Sequence, residues 1–139
     1  MSTTETVQVL RIKDASTWLV LAPAIGLMLI GACFILAPRV GALIFGIPAP
    51  DGPALAYLPA IGLRDLAFGL YIAGLAAFST RRAVAIVLAA TVLIPVGDIV
   101  LVLNERGLSS PWHLALHAAS GLYMASASVW LFRTNKHPE

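Results

Sequence analysis

The chain has 139 residues, 59% hydrophobic and 12% charged, with a mean hydropathy of +0.88, a composition far from that of a soluble domain. Its net charge of +2 is scattered over cations at the edges of apolar segments, which excludes a nucleic-acid-binding patch. The single cysteine, Cys33, excludes an internal disulfide.

In chain order, Met1 to Ala15 is polar and mixed in charge, as expected of a mobile or surface-lying tail. The first apolar run, Ser16 to Ala37, is long enough to cross a hydrocarbon core of about 30 Å at 1.5 Å per residue. Arg11 and Lys13 before it resemble the start of a signal peptide, and Ile30-Gly31-Ala32-Cys33 resembles a lipoprotein cleavage box. The apolar run nevertheless continues through Phe34, Ile35 and Leu36, so the first helix is expected to be retained. Positions 38 to 56 contain prolines 38, 48, 50 and 53 and glycines 41, 46 and 52, so no regular helix can run throughout. Within this stretch Ala42 to Ile47 is apolar, and reads either as an interfacial linker or as a lid over a site.

Further apolar runs span Tyr57 to Ser79, Ala83 to Leu103 and Pro111 to Phe132. The short Thr80-Arg81-Arg82 connection makes an antiparallel hairpin of the first two, and Asn104 to Ser110 turns the chain again. The expected architecture is all-α: one membrane domain, a four-helix bundle of antiparallel up-down topology. Arg11, Lys13, Arg81, Arg82, Arg133 and Lys136 fall on the side of the termini, against Arg39 and Arg106 on the other. The excess of cations places both termini in the cytoplasm. Trp18 and Trp130 at one boundary and Tyr57 and Trp112 at the other fit aromatic belts.

Arg64, Asp65, Asp98, His113 and His117 interrupt these apolar runs. Measured from the outer helix ends, Arg64 and Asp65 lie about 10 to 12 Å deep, Asp98 about 8 Å, His117 about 9 Å and His113 about 3 Å. One polar site in the outer part of the bundle follows. Asp65 shares a stripe with Gly62 and Gly69, small residues that permit close helix contact. Arg64 lies about 100° round the helix, so the two neighbours are expected to seek different partners. Asp98 aligns with Thr91 and Pro95, and Pro95 frees the Thr91 carbonyl and predicts a kink. His113 and His117 share a face with Ser120, Gly121, Met124 and Ser128.

Two readings compete for this cluster. In one, Arg64 pairs with Asp98, and Asp65 with a histidine, only to lock the bundle. Interhelical polar contacts average about 0.6 kcal/mol, small beside an insertion cost of about 2.5 to 3.5 kcal/mol per charge. The other reading is a ligand-handling or catalytic site, which the size of the cluster favours. His113-x-x-x-His117 with a carboxylate also has metal-ligand spacing, but position 114 is Leu where a zinc protease has its glutamate. Neither metal nor cofactor is expected. A carboxylate held ionised by Arg64 could instead accept a proton while a second carboxyl or an imidazole donates one. Such a pair suits hydration, isomerisation, cyclisation or epoxide opening of a lipophilic molecule.

Phe45-Gly46-Ile47-Pro48, Gly62-Leu63-Arg64-Asp65-Leu66-Ala67-Phe68-Gly69-Leu70, Ile94-Pro95-Val96-Gly97-Asp98 and His117 with the small residues after it resemble a family of small four-helix membrane proteins of bacteria and fungi, most of whose members carry no assigned function. The resemblance covers nearly the whole chain. It implies epoxide opening as one chemistry, through fungal members that accompany polyketide pathways as epoxide hydrolases. The set Asp65, Arg64 and Asp98 is also similar, as chemistry alone, to the Asp-Arg-Asp arrangement of limonene epoxide hydrolases, whose soluble fold is unrelated.

The function expected is therefore binding of a lipophilic small molecule or lipid, with acid/base chemistry carried by Asp98, Arg64, Asp65 and His117, and with His113, Ser120, Tyr123 and Thr91 lining the substrate. The alternative is a non-catalytic scaffold or accessory subunit. A homo-oligomer is compatible with either. The topology is testable: in a Cys33→Ser background, cysteines at Asp51 and Gly107 should react with an impermeant thiol reagent outside the cell, and one at Thr80 should not. External labelling at Thr80 would reverse the orientation.

Overall fold

The computed structural model describes residues 15–134. They form α1 (Ala15–Leu36), α2 (Pro38–Phe45), α3 (Tyr57–Phe78), α4 (Arg81–Thr91), α5 (Leu93–Arg106) and α6 (Pro111–Thr134), with 3-10 turns at Gly52–Ala56 and Gly107–Ser109. The expected tail before residue 15, with Arg11 and Lys13, and Lys136 beyond α6 lie outside the described residues. Four segments are long and apolar enough to cross a membrane: Thr17–Leu36, Gly52–Phe78, Arg81–Ser109 and Pro111–Thr134. The third is α4 and α5 in series. Large side chains such as Leu29, Leu63, Phe78, Leu93 and Leu122 are exposed, the outward face of a multi-pass integral membrane protein in which hydrocarbon replaces water.

Helix starts follow local chemistry. Pro38 and Pro111 open α2 and α6, where a missing N–H costs nothing. Thr80 caps α4 by accepting the Ala83 N–H at 3.1 Å, which fixes the tight α3–α4 hairpin. The stretch 38–56 is more ordered than its prolines and glycines predict, because helix α2 occupies its first half. At the expected kink the α-helical ladder is interrupted for one residue: α4 ends at Thr91 and α5 begins at Leu93, just before Pro95, while Val92 between them keeps right-handed helical angles. Pro95 cannot donate to the Thr91 carbonyl, and the Val92 N–H tightens to Ala89 O at 3.3 Å.

The bundle is two tight pairs. α1 packs on α3, and α6 packs on α4 and α5, with little direct contact between α1 and α6. Backbone approaches backbone at Gly31 and Gly62: a Cβ on Gly31 would stand 2.6 Å from the Gly62 carbonyl oxygen, and one on Gly62 would stand 2.5 Å from that of Gly31. A Cβ on Gly69 would likewise stand 2.6 Å from the Ala24 carbonyl oxygen. In lipid, van der Waals contact of this kind drives helix association. Between α6 and α4, Ser128 Oγ donates to the Ala85 carbonyl at 2.8 Å, while Gly121 makes room for the Pro95 ring.

The pairs are joined near the α3–α4 turn by a core of Val20, Ala24, Ile72, Ala76, Val84, Ala85, Leu88, Ala127 and Leu131. At the opposite end Phe34, Ala42 and Leu58 form a second, smaller core beneath α2. Between the two cores a partly open cavity separates the pairs. Gly62→Val should lower stability by about 1 to 3 kcal/mol through overpacking against backbone that cannot yield. Gly74→Ala, with nothing within 4 Å of the added Cβ, should leave stability unchanged or gain up to about 1 kcal/mol of helix propensity. Thermal unfolding in detergent compares the two, and equal effects would contradict close α1–α3 packing.

Candidate functional site

The cavity has a volume of about 530 Å³, in the range of small-molecule sites. Its walls are apolar along most of their length: Leu27, Ile30 and Phe34 on α1, Ile44 and Phe45 on α2, Ile94 and Pro95 on α5, Leu116 and Met124 on α6. Arg64, Asp65, Asp98, His117, Ser120 and Tyr123 supply the polar lining. Six of the eight residues expected from sequence thus meet in one space. His113 and Thr91 are not among the lining residues.

The histidines have a task that sequence periodicity did not reveal. The last turn of α2 presents carbonyls without helical N–H partners, and in a membrane no water is at hand to satisfy them. His113 Nε2 donates to the Leu43 carbonyl at 3.0 Å, His117 Nε2 to that of Phe45 at 2.9 Å, and Arg106 Nη1 to that of Gly46 at 3.3 Å. Cationic or donor groups at a helix C-terminus also complement its dipole. Gly46 permits this docking twice over: its φ of 101° is left-handed, and a Cβ there would stand 2.6 Å from His113 Cγ. His113 Nδ1 accepts from the Ser110 hydroxyl, so both its ring nitrogens are engaged away from the cavity. The histidine pair clamps α2 over the bundle mouth.

His117 is different, because only one of its nitrogens serves the clamp. With Nε2–H committed to a carbonyl that can only accept, Nδ1 faces Asp98 Oδ2 at 3.5 Å. An ion pair or hydrogen bond across this gap requires a proton on one of the two facing atoms: on Nδ1 the pair is imidazolium and carboxylate, and on Oδ2 it is imidazole and carboxylic acid. Both side chains are largely buried, at 10% and 19% exposure. The Phe45 ring stands edge-on to the imidazole at a centroid distance of 4.9 Å, so one α2 residue contacts His117 through backbone and side chain.

The pairing expected for Arg64 needs correction. Rather than facing apart, Arg64 donates from Nε (3.1 Å) and Nη2 (2.9 Å) to Oδ1 of its neighbour Asp65. Asp65 is held against α1 in the close-packed glycine stripe, 10% exposed, whereas the flexible Arg64 side chain is 50% exposed and can fold back along α3. Arg64 and Asp65 act on Asp98 through space only. Neither the Arg64–Asp98 pair nor the Asp65–histidine pair forms among the described contacts; the partners are Asp65 with Arg64 and Asp98 with His117.

Of the remaining candidates, Thr91 is buried and turns its hydroxyl back to the Val87 carbonyl at 2.7 Å. Ser120 lines the cavity while donating to Leu116 O at 2.9 Å. Tyr123 also lines it, with its hydroxyl donating to the Leu19 carbonyl of α1 at 2.9 Å. That carbonyl is the one Pro23 leaves without a partner four residues on, a signal in the sequence of the same kind as Thr91 and Pro95. Sequence reasoning also missed Phe34, Phe45 and Gly26 as cavity wall, since nothing local separates a cavity-facing apolar residue from a lipid-facing one.

A double-mutant cycle tests the pairing. Asp98→Asn combined with His117→Gln should show a coupling of at least about 0.5 kcal/mol in stability, and Asp98→Asn combined with Arg64→Gln a smaller one. The reverse order would restore the Arg64–Asp98 pairing.

Neither a curated protein nor a solved structure matches the chain. A family model does, over residues 24–131, which takes in both helix pairs, α2 and every cavity-lining residue from Pro23's neighbour Ala24 onward. By that match the chain belongs to the family described as Domain of unknown function (DUF4267).

Proposed function

We propose that the cavity binds a lipophilic small molecule and that Asp98 and His117 perform acid/base chemistry on it. One observation carries this reading: the Asp98 carboxyl and His117 Nδ1 face each other at 3.5 Å in the wall of a cavity of about 530 Å³ whose other walls are mostly apolar. Buried ionisable groups in a membrane bundle are costly and mark function by default. The clamp on α2 accounts for one nitrogen of His117 and leaves Asp98 without a structural task.

Epoxide opening, hydration, isomerisation and cyclisation all fit such a pair. In epoxide opening the imidazolium and carboxylate form is the reactive one. Asp98 takes a proton from water as the water oxygen bonds to an epoxide carbon. The carbon–oxygen bond breaks, and His117 Nδ1 gives its proton to the departing oxygen, yielding a diol. Asp98 then carries a proton and His117 has lost one, so a single transfer across the Nδ1···Oδ2 gap restores the starting form. Arg64 polarises the oxygen-bearing end of the molecule.

The test pairs gentle extraction with mass spectrometry of copurifying lipophilic molecules, followed by turnover assays on lipophilic epoxides. Asp98→Asn should remain folded and lose about 100-fold or more in turnover, or lose the copurifying molecule. A drop in thermal stability with unchanged ligand content and turnover would favour the scaffold alternative.

A further inference from the structure

Resting on the reading of the cavity as a ligand site, we infer that its ligand is an uncharged amphiphile, with an oxygen-bearing head at Asp98 and His117 and an aliphatic chain running along α1, and that Gly26 sets the room for that chain.

Charge decides the head. Arg64 spends two donors on Asp65, and Asp98 faces His117 Nδ1 at 3.5 Å, so that with one proton between them, as the acid/base reading requires, that pair adds no net charge. A carboxylate or ammonium head would enter this space without a counter-ion, and an unpaired charge in a low-dielectric site is strongly disfavoured. A hydroxyl, carbonyl or epoxide oxygen can accept from a protonated His117 Nδ1, and a hydroxyl can also donate to Asp98, without disturbing that balance.

Geometry decides the chain. The cavity follows α1 from Phe34 to Ala22, roughly 18 Å at the rise of a helix, comparable to the half-thickness of a hydrocarbon core. The polar pair lies near the α2 end, beside Phe45, and the remaining length is mostly apolar, the hydroxyls of Ser120 and Tyr123 each being committed to a backbone carbonyl. Gly26 lines this apolar stretch, and a Cβ built on it meets nothing within 4 Å. Gly31 and Gly62, by contrast, are closed by backbone. Gly26 is therefore a vacancy in the wall of α1 that α1 does not need for helix packing.

The physics of the bilayer shapes the selectivity. Lipid tails are as apolar as the cavity, so a longer chain gains nothing on leaving the bilayer. Enrichment in the protein should be flat with chain length and then fall once the chain outgrows the cavity.

The experiment equilibrates phosphatidylcholine nanodiscs, with and without the full-length protein, with 1-alkanols of increasing length and with matched alkanoates and alkyltrimethylammonium ions. Mass spectrometry measures enrichment over empty discs. Alkanols should exceed both charged series by roughly tenfold or more, with a length cut-off. Gly26→Leu should move that cut-off to shorter chains and leave short alkanols unaffected; Gly26→Ala should move it less, and serves if the leucine variant does not fold. Gly74→Leu should behave as wild type. Preference for a charged series, or an unmoved cut-off in the folded Gly26 variants, overturns this inference and leaves the ligand site standing. No enrichment of any series at any length overturns both.

Discussion

A carbonyl without an N–H partner is tolerable at a protein surface and costly in hydrocarbon, and this constraint organises the structure. Three places break the helical ladder: the end of α2, Pro23 in α1 and the α4–α5 junction before Pro95. At the first, His113, His117 and Arg106 reach across from other helices. At the second, the Tyr123 hydroxyl does so. These long-range bonds tie α2 and α1 to the α5–α6 side at points where the pairs otherwise barely touch. The repairs to the backbone are thus also the struts that hold the cavity between them.

Small residues serve opposite ends within the same helix. Gly31 brings α1 against α3 until backbones meet, while Gly26, a little over one turn earlier, leaves open space toward the other pair. Close packing on one face of α1 and vacancy on another follow from the helical repeat, which turns residues five apart to different sides. Asp65 belongs to the close-packed face and Arg64 to the cavity rim, so one ion pair bridges the two environments.

His117 couples the α2 cover to the polar wall of the cavity. Its Nε2 holds α2 in place, and that bond dictates which nitrogen faces Asp98. A carbonyl partner that fixes the tautomer is the usual way a protein aims an imidazole. Movement of α2 would free both the bundle mouth and the orientation of the imidazole toward Asp98, so the cover and the geometry of this pair are set by the same contact.

The sequence by itself determined the membrane class, the four antiparallel spans, the glycine stripe around Asp65 and the shared depth of Arg64, Asp65, Asp98 and His117. Those features follow from composition and from the fixed rise and repeat of a helix, both of which are local. Which residues pair was decided only by tertiary structure. Rotation about the helix axis argued Arg64 away from Asp65, but a long side chain can fold back on its own helix, and helical angle does not describe that freedom. The order within 38–56 was likewise invisible, since α2 is held by carbonyl acceptors that every sequence possesses and by donors about 60 to 70 residues away along the chain. The cavity is the clearest case: its apolar wall is chemically the same as the lipid-facing surface, and only the separation of two helix pairs, joined at one end and clamped at the other, turns one into the other.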